Sequence, residues 1–378
     1  MNRRHFLGGL AGAGLAIAHA SRPMSDQPIN PSDRAAVNFK QIPKYRGFNL
    51  QWEKRPGDAA TPAYRESDFS LMQEWGFNFA RLPLSYWIWG KPTDWTYFND
   101  EPLKQIDRAI ELGKQYGVHI NLNFHRIPGY CVNGRELEQA DLFTGRALEA
   151  QRALKAACLH WSHFARRYKG IPSSQLSLDL INEPIKMRPY EGYFEERYAE
   201  VVRALVAAIR AEDPGRLIFA DGINIGQLPV PEIVDLDLVQ STRGYQPKSI
   251  THYGATWVPL DEYETMNVPT WPLIDDKKQL WDRARLKQEY VDKWQVLIDR
   301  GVQIHVGEWG CYNHTPHEVA LAWMSDCLAV WREVNWGNAL WNLRGDFGIL
   351  DSGRKDVSYE NFRGHQLDRK MLELLRNA

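Results

Sequence analysis

A helix, a glycine and an apolar strand follow one another repeatedly along this sequence, and that alternation limits the folds open to it more than any other feature. Leu71 to Trp75 passes through Gly76 into Phe-Asn-Phe-Ala-Arg-Leu-Pro, residues 77–83. Leu103, Ile106, Ile110 and Leu112 form a helical stripe that stops at Gly117, before Val-His-Ile-Asn-Leu-Asn-Phe-His. The helix through Val201, Leu205 and Ile209 stops at Pro214-Gly215, the helix through Trp294 and Ile298 at Gly301, and the helix through Val319, Trp323 and Val330 leads past Gly337. Each stop is followed by another apolar run. A helix commonly ends on a left-handed residue, and glycine takes that conformation at no steric cost. Strands linked through helices lie parallel, because a tight turn can only reverse direction. Eight strands are expected, near 45–50, 77–83, 118–125, 176–182, 216–222, 238–243, 302–308 and 338–343. That pattern predicts an α/β chain: a (β/α)8 TIM barrel over 41–378, a single domain with extended βα loops. A doubly wound open sheet would want a glycine-rich phosphate turn after the first strand, and Gly47-Phe-Asn-Leu-Gln-Trp is not one.

Residues 1–20 read as a leader, not as part of the barrel. Asn2-Arg3-Arg4-His5-Phe6-Leu7 is a twin-arginine pattern, a weakly apolar run follows to Ile17, and Ala18-His19-Ala20 has the form of a cleavage site. The run is too short to span a bilayer. Residues 21–40, rich in Pro, Ser, Asp and Asn, read as a linker. The expectation is export by the twin-arginine route to the periplasm or the medium, with no membrane attachment once the leader is removed. A formal net charge of −1 gives no reason to expect nucleic acid as a partner. The four cysteines, 131, 158, 311 and 327, fit no zinc spacing. Cys158 and Cys327 read as buried small apolar groups, and a Cys131–Cys311 bridge is left open.

In such a barrel the reactive groups gather where the strands end. Glu183 closes Leu-Ser-Leu-Asp-Leu-Ile-Asn-Glu-Pro, and Glu308 lies in Val-Gln-Ile-His-Val-Gly-Glu-Trp-Gly. A carboxylate at the tip of a buried strand is expensive unless chemistry requires it there. Two of them suit an acid and a nucleophile working on one glycosidic bond. The other strand ends supply Asn49 and Trp52, Arg81, His125, Asn182, Asp221 and Asn224, Arg243 and Tyr245, and Trp341.

Together these segments resemble glycoside hydrolase family 5, the cellulase-like retaining β-glycosidases. The resemblance runs from Gly47 to Arg354. It is carried by Arg-Gly-Phe-Asn (46–49), Phe-Ala-Arg-Leu-Pro (79–83), Asn-Phe-His-Arg-Ile-Pro-Gly-Tyr (123–130) and Ile-Asn-Glu-Pro (181–184). Thr-His-Tyr-Gly-Ala-Thr-Trp (251–257), Gly-Glu-Trp-Gly (307–310) and Trp-Asn-Leu-Arg-Gly (341–345) complete it. It implies that Glu183 is the acid/base and Glu308 the nucleophile. It further implies that Asn182 binds the sugar 2-hydroxyl, that Arg81 and Tyr245 hold the nucleophile, that His125 lines the site and that Trp341 lies under the sugar. One position departs from the family. The sixth strand usually carries a histidine two residues before the tyrosine, and here Arg243 stands there. Its expected partner is Glu183, Glu308 or a substrate hydroxyl, with His252 as a candidate to supply the missing imidazole.

The chain holds 15 Trp, 16 Tyr and 14 Phe, and flat sugar C–H faces pack well on such rings. Trp87, Trp89, Trp95 and Tyr97 follow the second strand, and Trp257, Tyr263 and Trp271 follow the sixth. Trp87 and Trp257 are the first candidates for sugar contacts, and about half of the set is expected to pack loops instead. His160-x-x-His163 and His314-x-x-His317 lack a third ligand in register and read as surface histidines. No metal or cofactor is expected, and the chain is taken as a monomer acting on carbohydrate. The reading is a retaining hydrolase of β-linked glucan, β-1,4 first. A β-mannanase, a xyloglucanase, a β-1,3-glucanase or exo-glucosidase, a transglycosylase, and a barrel that binds glycan without cutting it remain alternatives. Two essential carboxyl groups predict a bell-shaped pH–rate profile.

Overall fold

In a computed structural model of the protein, which describes residues 42–51, 64–133, 137–144, 147–186, 193–258 and 267–378, the eight expected strands close into one parallel barrel. They are β1 (Arg46–Asn49), β2 (Phe79–Ser85), β3 (His119–Arg126), β4 (Leu176–Asp179), β5 (Leu217–Asp221), β6 (Val239–Gly244), β7 (Ile304–Trp309) and β8 (Gly337–Leu340). Neighbours pair in sequence order, and β1 closes the ring against β8. The expected leader and linker lie outside the described residues, as do Trp52 and Tyr263.

Gly76, Gly117 and Gly301 act where the sequence places them, whereas Gly337 opens β8 and Asn335 (φ 56°) is the left-handed residue before it. Gly76 (φ 81°) ends α1 (Glu66–Trp75), and Gly117 (φ 65°) ends α2 (Leu103–Tyr116), both in the left-handed conformation. The stripe on α2 is buried as read, through Leu103, Ile106, Ile110 and Leu112. The longer helices α3 (Leu148–Arg167), α4 (Phe194–Glu212) and α5 (His317–Glu333) bury the same kind of face. Between helices and strands lies the large apolar shell, and a smaller cluster of Tyr45, Phe79, Leu217, Phe219, Val239 and Ala339 is separate from it.

Several details differ from expectation. The fourth strand, read to residue 182, leaves the ladder after Asp179. Beyond it Leu180 N–H bonds the Phe219 carbonyl of β5 and Asn182 N–H bonds the Phe124 carbonyl of β3. The chain then turns at Glu183, whose φ of 49° cannot continue a strand. The eighth strand ends at Leu340, not 343. Two short hairpins, 273–274 with 280–281 and 360–362 with 365–367, were not expected. Two histidines expected at the surface are buried. His160 accepts at Nδ1 from Trp89 Nε1 and donates from Nε2 to the Trp95 carbonyl, and His317 pairs with Asp368. Each lies on the inner face of its helix, so its neighbours in the sequence gave no warning. All four cysteines are free; Cys327 is buried and Cys158 partly so.

Candidate active site

Register decides which side chains meet at the C-terminal mouth of the barrel. Asn49 on β1 lies beside Arg81 on β2, and Arg243 on β6 lies beside Glu308 on β7. The β6–β7 ladder slips at this point: Thr242 pairs with Val306, then Arg243 pairs with Glu308, passing over Gly307. Such a bulge re-aims the side chains next to it.

Two arginines organise the acids. Arg81 donates from Nε to Asp179 Oδ2 at 2.8 Å, from Nη1 to Glu308 Oε1 at 2.5 Å and to Asn49 Oδ1 at 3.1 Å, and from Nη2 to Asn182 Oδ1 at 2.8 Å. Arg243 donates from Nε to Glu183 Oε1 at 3.0 Å and from Nη1 to Asp221 Oδ1 at 3.0 Å. Its Nη2 bonds Asp221 Oδ2 and Asn182 Oδ1 and lies 3.4 Å from Glu308 Oε1. One guanidinium therefore touches both glutamates, which places the two carboxylates side by side at the mouth. Tyr245 Oη reaches Glu308 Oε2 at 3.4 Å.

The backbone of Glu183 is clamped from two sides. Its N–H donates to Asp221 Oδ2 at 2.8 Å, and its carbonyl accepts from Tyr130 Oη at 2.7 Å. A non-glycine residue at φ 49° costs on the order of 1–3 kcal/mol unless the surroundings hold it there, and these two bonds do so. Its side chain is 12% exposed and that of Glu308 only 4%. Burial, and after it the charge of Glu308, push the Glu183 carboxyl up to about 8 against the opposing pull of Arg243. The protonated form is thereby favoured, as a proton donor requires.

Asn182 presents its oxygen to both arginines, which settles the orientation of its amide. Its Nδ2 is buried and has no partner among the described residues. Such a donor awaits an acceptor.

The other expected residues fall into two groups. His125 and Trp341 stack at the mouth, with ring centres 5.6 Å apart. His252 bonds Thr251 Oγ1 and meets Tyr245 edge-on, with ring centres 5.2 Å apart, so it supports the tyrosine, while the place against both carboxylates is taken by Arg243 itself. Trp87 is 8% exposed and its ring is covered by the Arg126 guanidinium at 3.9 Å. Trp257 is 55% exposed and meets Tyr312 edge-on at 4.8 Å. Trp95 and Trp271 spend their indole N–H groups on Tyr86 Oη and Asp326, and so hold loops. Asp179, Asp221 and Tyr130 were given no role from the sequence. An acid inside the apolar run Leu-Ser-Leu-Asp-Leu is the signal that points to Asp179. No comparable signal marks Tyr130. Among the described residues, no group of three or more His, Cys, Asp or Glu is placed to hold a metal.

With this geometry in view, the chain can be compared with known proteins. The family model described as cellulase (glycosyl hydrolase family 5) matches residues 37–346. Endoglucanase C of Acetivibrio thermocellus is 24% identical over 346 residues, covering 86% of this chain and 97% of that protein. Cellodextrinase A of Ruminococcus flavefaciens is 22% identical over 268 residues, covering 68% of this chain and 72% of its own. A solved crystal structure of a glycoside hydrolase is 36% identical, superposes with a TM-score of 0.81, and is matched over 88% of this chain and 99% of its own.

Proposed function

The chain belongs to the cellulase family, glycosyl hydrolase family 5, and on that premise we propose that it cleaves β-1,4-linked glucan with retention of configuration. Glu183 is the acid/base and Glu308 the nucleophile. The observation that carries this assignment is the shared guanidinium of Arg243, which brings one protonated and one attacking carboxyl group to the same place. Retention requires carboxyl groups close enough to reach one anomeric centre without an intervening water.

In the first step Glu308 attacks the anomeric carbon as Glu183 gives its proton to the leaving oxygen. Arg81 keeps Glu308 oriented and offsets its charge. The result is a covalent glycosyl-enzyme with Glu183 as the carboxylate. In the second step Glu183 takes a proton from water as the water attacks the same carbon, the bond from that carbon to Glu308 breaks and returns Glu308 to a carboxylate, and the sugar leaves with its original configuration. Asn182 Nδ2 is the donor for the 2-hydroxyl, and Trp341 is the ring on which the sugar rests. Trp257 extends the contact outward. The endoglucanase name of the relative covering most of the chain supports a glucan as substrate.

The test is a panel of soluble β-glucans, mannans and xylans with sized products, with anomeric configuration followed by NMR. Glucan cleavage with retained β-products is expected, and Glu308→Ala loses at least about a thousandfold in kcat/KM. Cleavage of mannan or xylan alone moves the substrate assignment; inverted products or full activity in Glu308→Ala overturn the mechanism. Activity requires protonated Glu183, so kcat/KM falls as pH rises through about 8. Export by the twin-arginine route is part of the proposal and rests on Arg3-Arg4 and Ala18-His19-Ala20. Cell fractionation of an Arg3→Lys/Arg4→Lys double variant checks it, with retention in the cytoplasm expected.

A further inference from the structure

Position 243 is where this chain leaves the family pattern, and the surroundings are cut to fit an arginine. A Cβ on Gly307 would lie 2.8 Å from Arg243 Nη1, and one on Gly226 would lie 2.7 Å from Arg243 Cγ. Asp221 takes both terminal nitrogens, so the guanidinium cannot rotate freely. Its remaining Nε–H faces Glu183 Oε1 at 3.0 Å. A neutral histidine offers one donor and one acceptor, and which nitrogen faces the glutamate can change; an arginine offers donors alone and keeps its charge.

We infer that Arg243 is a positioning residue for acid catalysis, holding Glu183 Oε1 as a hydrogen-bond acceptor so that the transferable proton is carried on Oε2. This rests on the reading of Glu183 as the acid. During glycosylation the Oε2–H bond breaks and the proton moves to the glycosidic oxygen. The C–O bond to the leaving group breaks and its electron pair stays on that oxygen. Glu183 is left as a carboxylate that Arg243 already contacts. The charged groups acting on Glu183 are Arg243 on β6, Glu308 on β7, Asp221 on β5, Arg81 on β2 and Lys248 just after β6. Among them Arg243 opposes the effects of burial and of Glu308, so its removal raises the Glu183 carboxyl further.

The experiment compares kcat/KM, which reports glycosylation, for two cellobiosides. One carries a dinitrophenyl leaving group that departs without a proton, and the other is cellotetraose, whose leaving sugar needs one. Arg243→His is expected to lose about tenfold or more on cellotetraose and less than about threefold on the dinitrophenyl substrate. Its alkaline limb moves up by about one pH unit. Arg243→Lys, which keeps the charge, leaves that limb near the wild-type position. Equal losses on both substrates with an unmoved limb would mean that Arg243 serves packing alone, and overturn the inference. If Arg243→His folds poorly because Asp221 is left unpaired, the Asp221→Asn/Arg243→His double variant removes that orphan charge and is read in the same way. Wild-type turnover and its loss in Glu308→Ala report separately on the hydrolase reading. In addition, a carbon-13 carboxyl titration of Glu183 in both forms tests the influence of Arg243 without any substrate. An upward shift in the variant supports it and coincident curves refute it.

Discussion

The interior of the barrel has two levels, separated by a single repeat of the strand pleat, and they deal with burial in opposite ways. At the floor, Tyr45, Phe79, His119, Phe219 and His305 pack ring against ring, with Tyr45 and His119 centred 4.3 Å apart and Phe79 and His305 4.7 Å apart. Two residues further along the same strands, Phe79 gives way to Arg81, Ser177 to Asp179 and Phe219 to Asp221. Alternate residues share a face, so this is a step of ~7 Å up the barrel. The floor contains titratable groups and keeps them neutral: burial pushes His119 down to about 4 and His305 to about 3. The mouth instead gathers acids around two cations, Arg81 against Asp179 and Glu308, and Arg243 against Asp221 and Glu183. A neutral layer can stand on packing alone. A charged one is stable only while every partner is present.

The sharpest way to break the comparison is at Glu183. Glu183→Gln is expected to lose about 10²–10⁴-fold in kcat/KM on an unactivated substrate. The same variant should be more stable than wild type at alkaline pH, by on the order of 2 kcal/mol in urea melts. The sign follows from its raised folded value: stability from the protonated form is fully present below the unfolded value near 4.5 and is lost as pH rises through about 8. A variant less stable than wild type at pH 9 would contradict this.

Next is Arg81→Met, which leaves Asp179 and Glu308 without their cation. A loss of about 3–5 kcal/mol is expected, with activity lost as well. Adding Asp179→Asn should recover part of the stability and none of the activity. A floor counterpart, Phe79→Ala, is expected to cost a similar 3–4 kcal/mol, roughly, through its cavity. Its kcat/KM per folded molecule should stay within a few-fold of wild type. Comparable activity losses in the two variants would show that the levels are not separable.

The smallest effect is the acid response of the floor. The folded values of His119 and His305 are depressed below the ordinary 6.5, so the unfolded chain binds more protons in the acid range. Their contribution is fully present above about 6.5 and declines as pH falls toward 4 and below. His305→Phe should flatten that decline by about 1–2 kcal/mol between pH 7 and pH 4, measured by denaturant midpoints.

Much of this arrangement is legible along the chain. Five of the eight strands are marked by an apolar run that follows a helix and a glycine, a local signal that needs no knowledge of neighbours. Glu183 and Glu308 stand out because an ionisable group at the end of an apolar run is costly wherever the run goes. The other half of the mouth is not legible in this way. Asp221 reads only as one more polar strand end, and Tyr130 only as the last residue of a family segment, until their bonds to the Glu183 backbone are seen. His160 and His317 look polar and are buried, because the direction a helix face points is set by what packs on it. Trp87 has the composition of a sugar platform, yet its ring is covered by Arg126.

The order of helices and strands, the parallel closure, and the two strand-end glutamates proposed as the reacting pair were legible in the sequence alone, since each rests on neighbours a few residues away. Tertiary structure decided that one arginine, on a strand whose ladder slips by a residue at Gly307, holds both of them. That outcome depends on register between strands some sixty residues apart, and on hydrogen-bond directions within about an ångström, neither of which a linear pattern records.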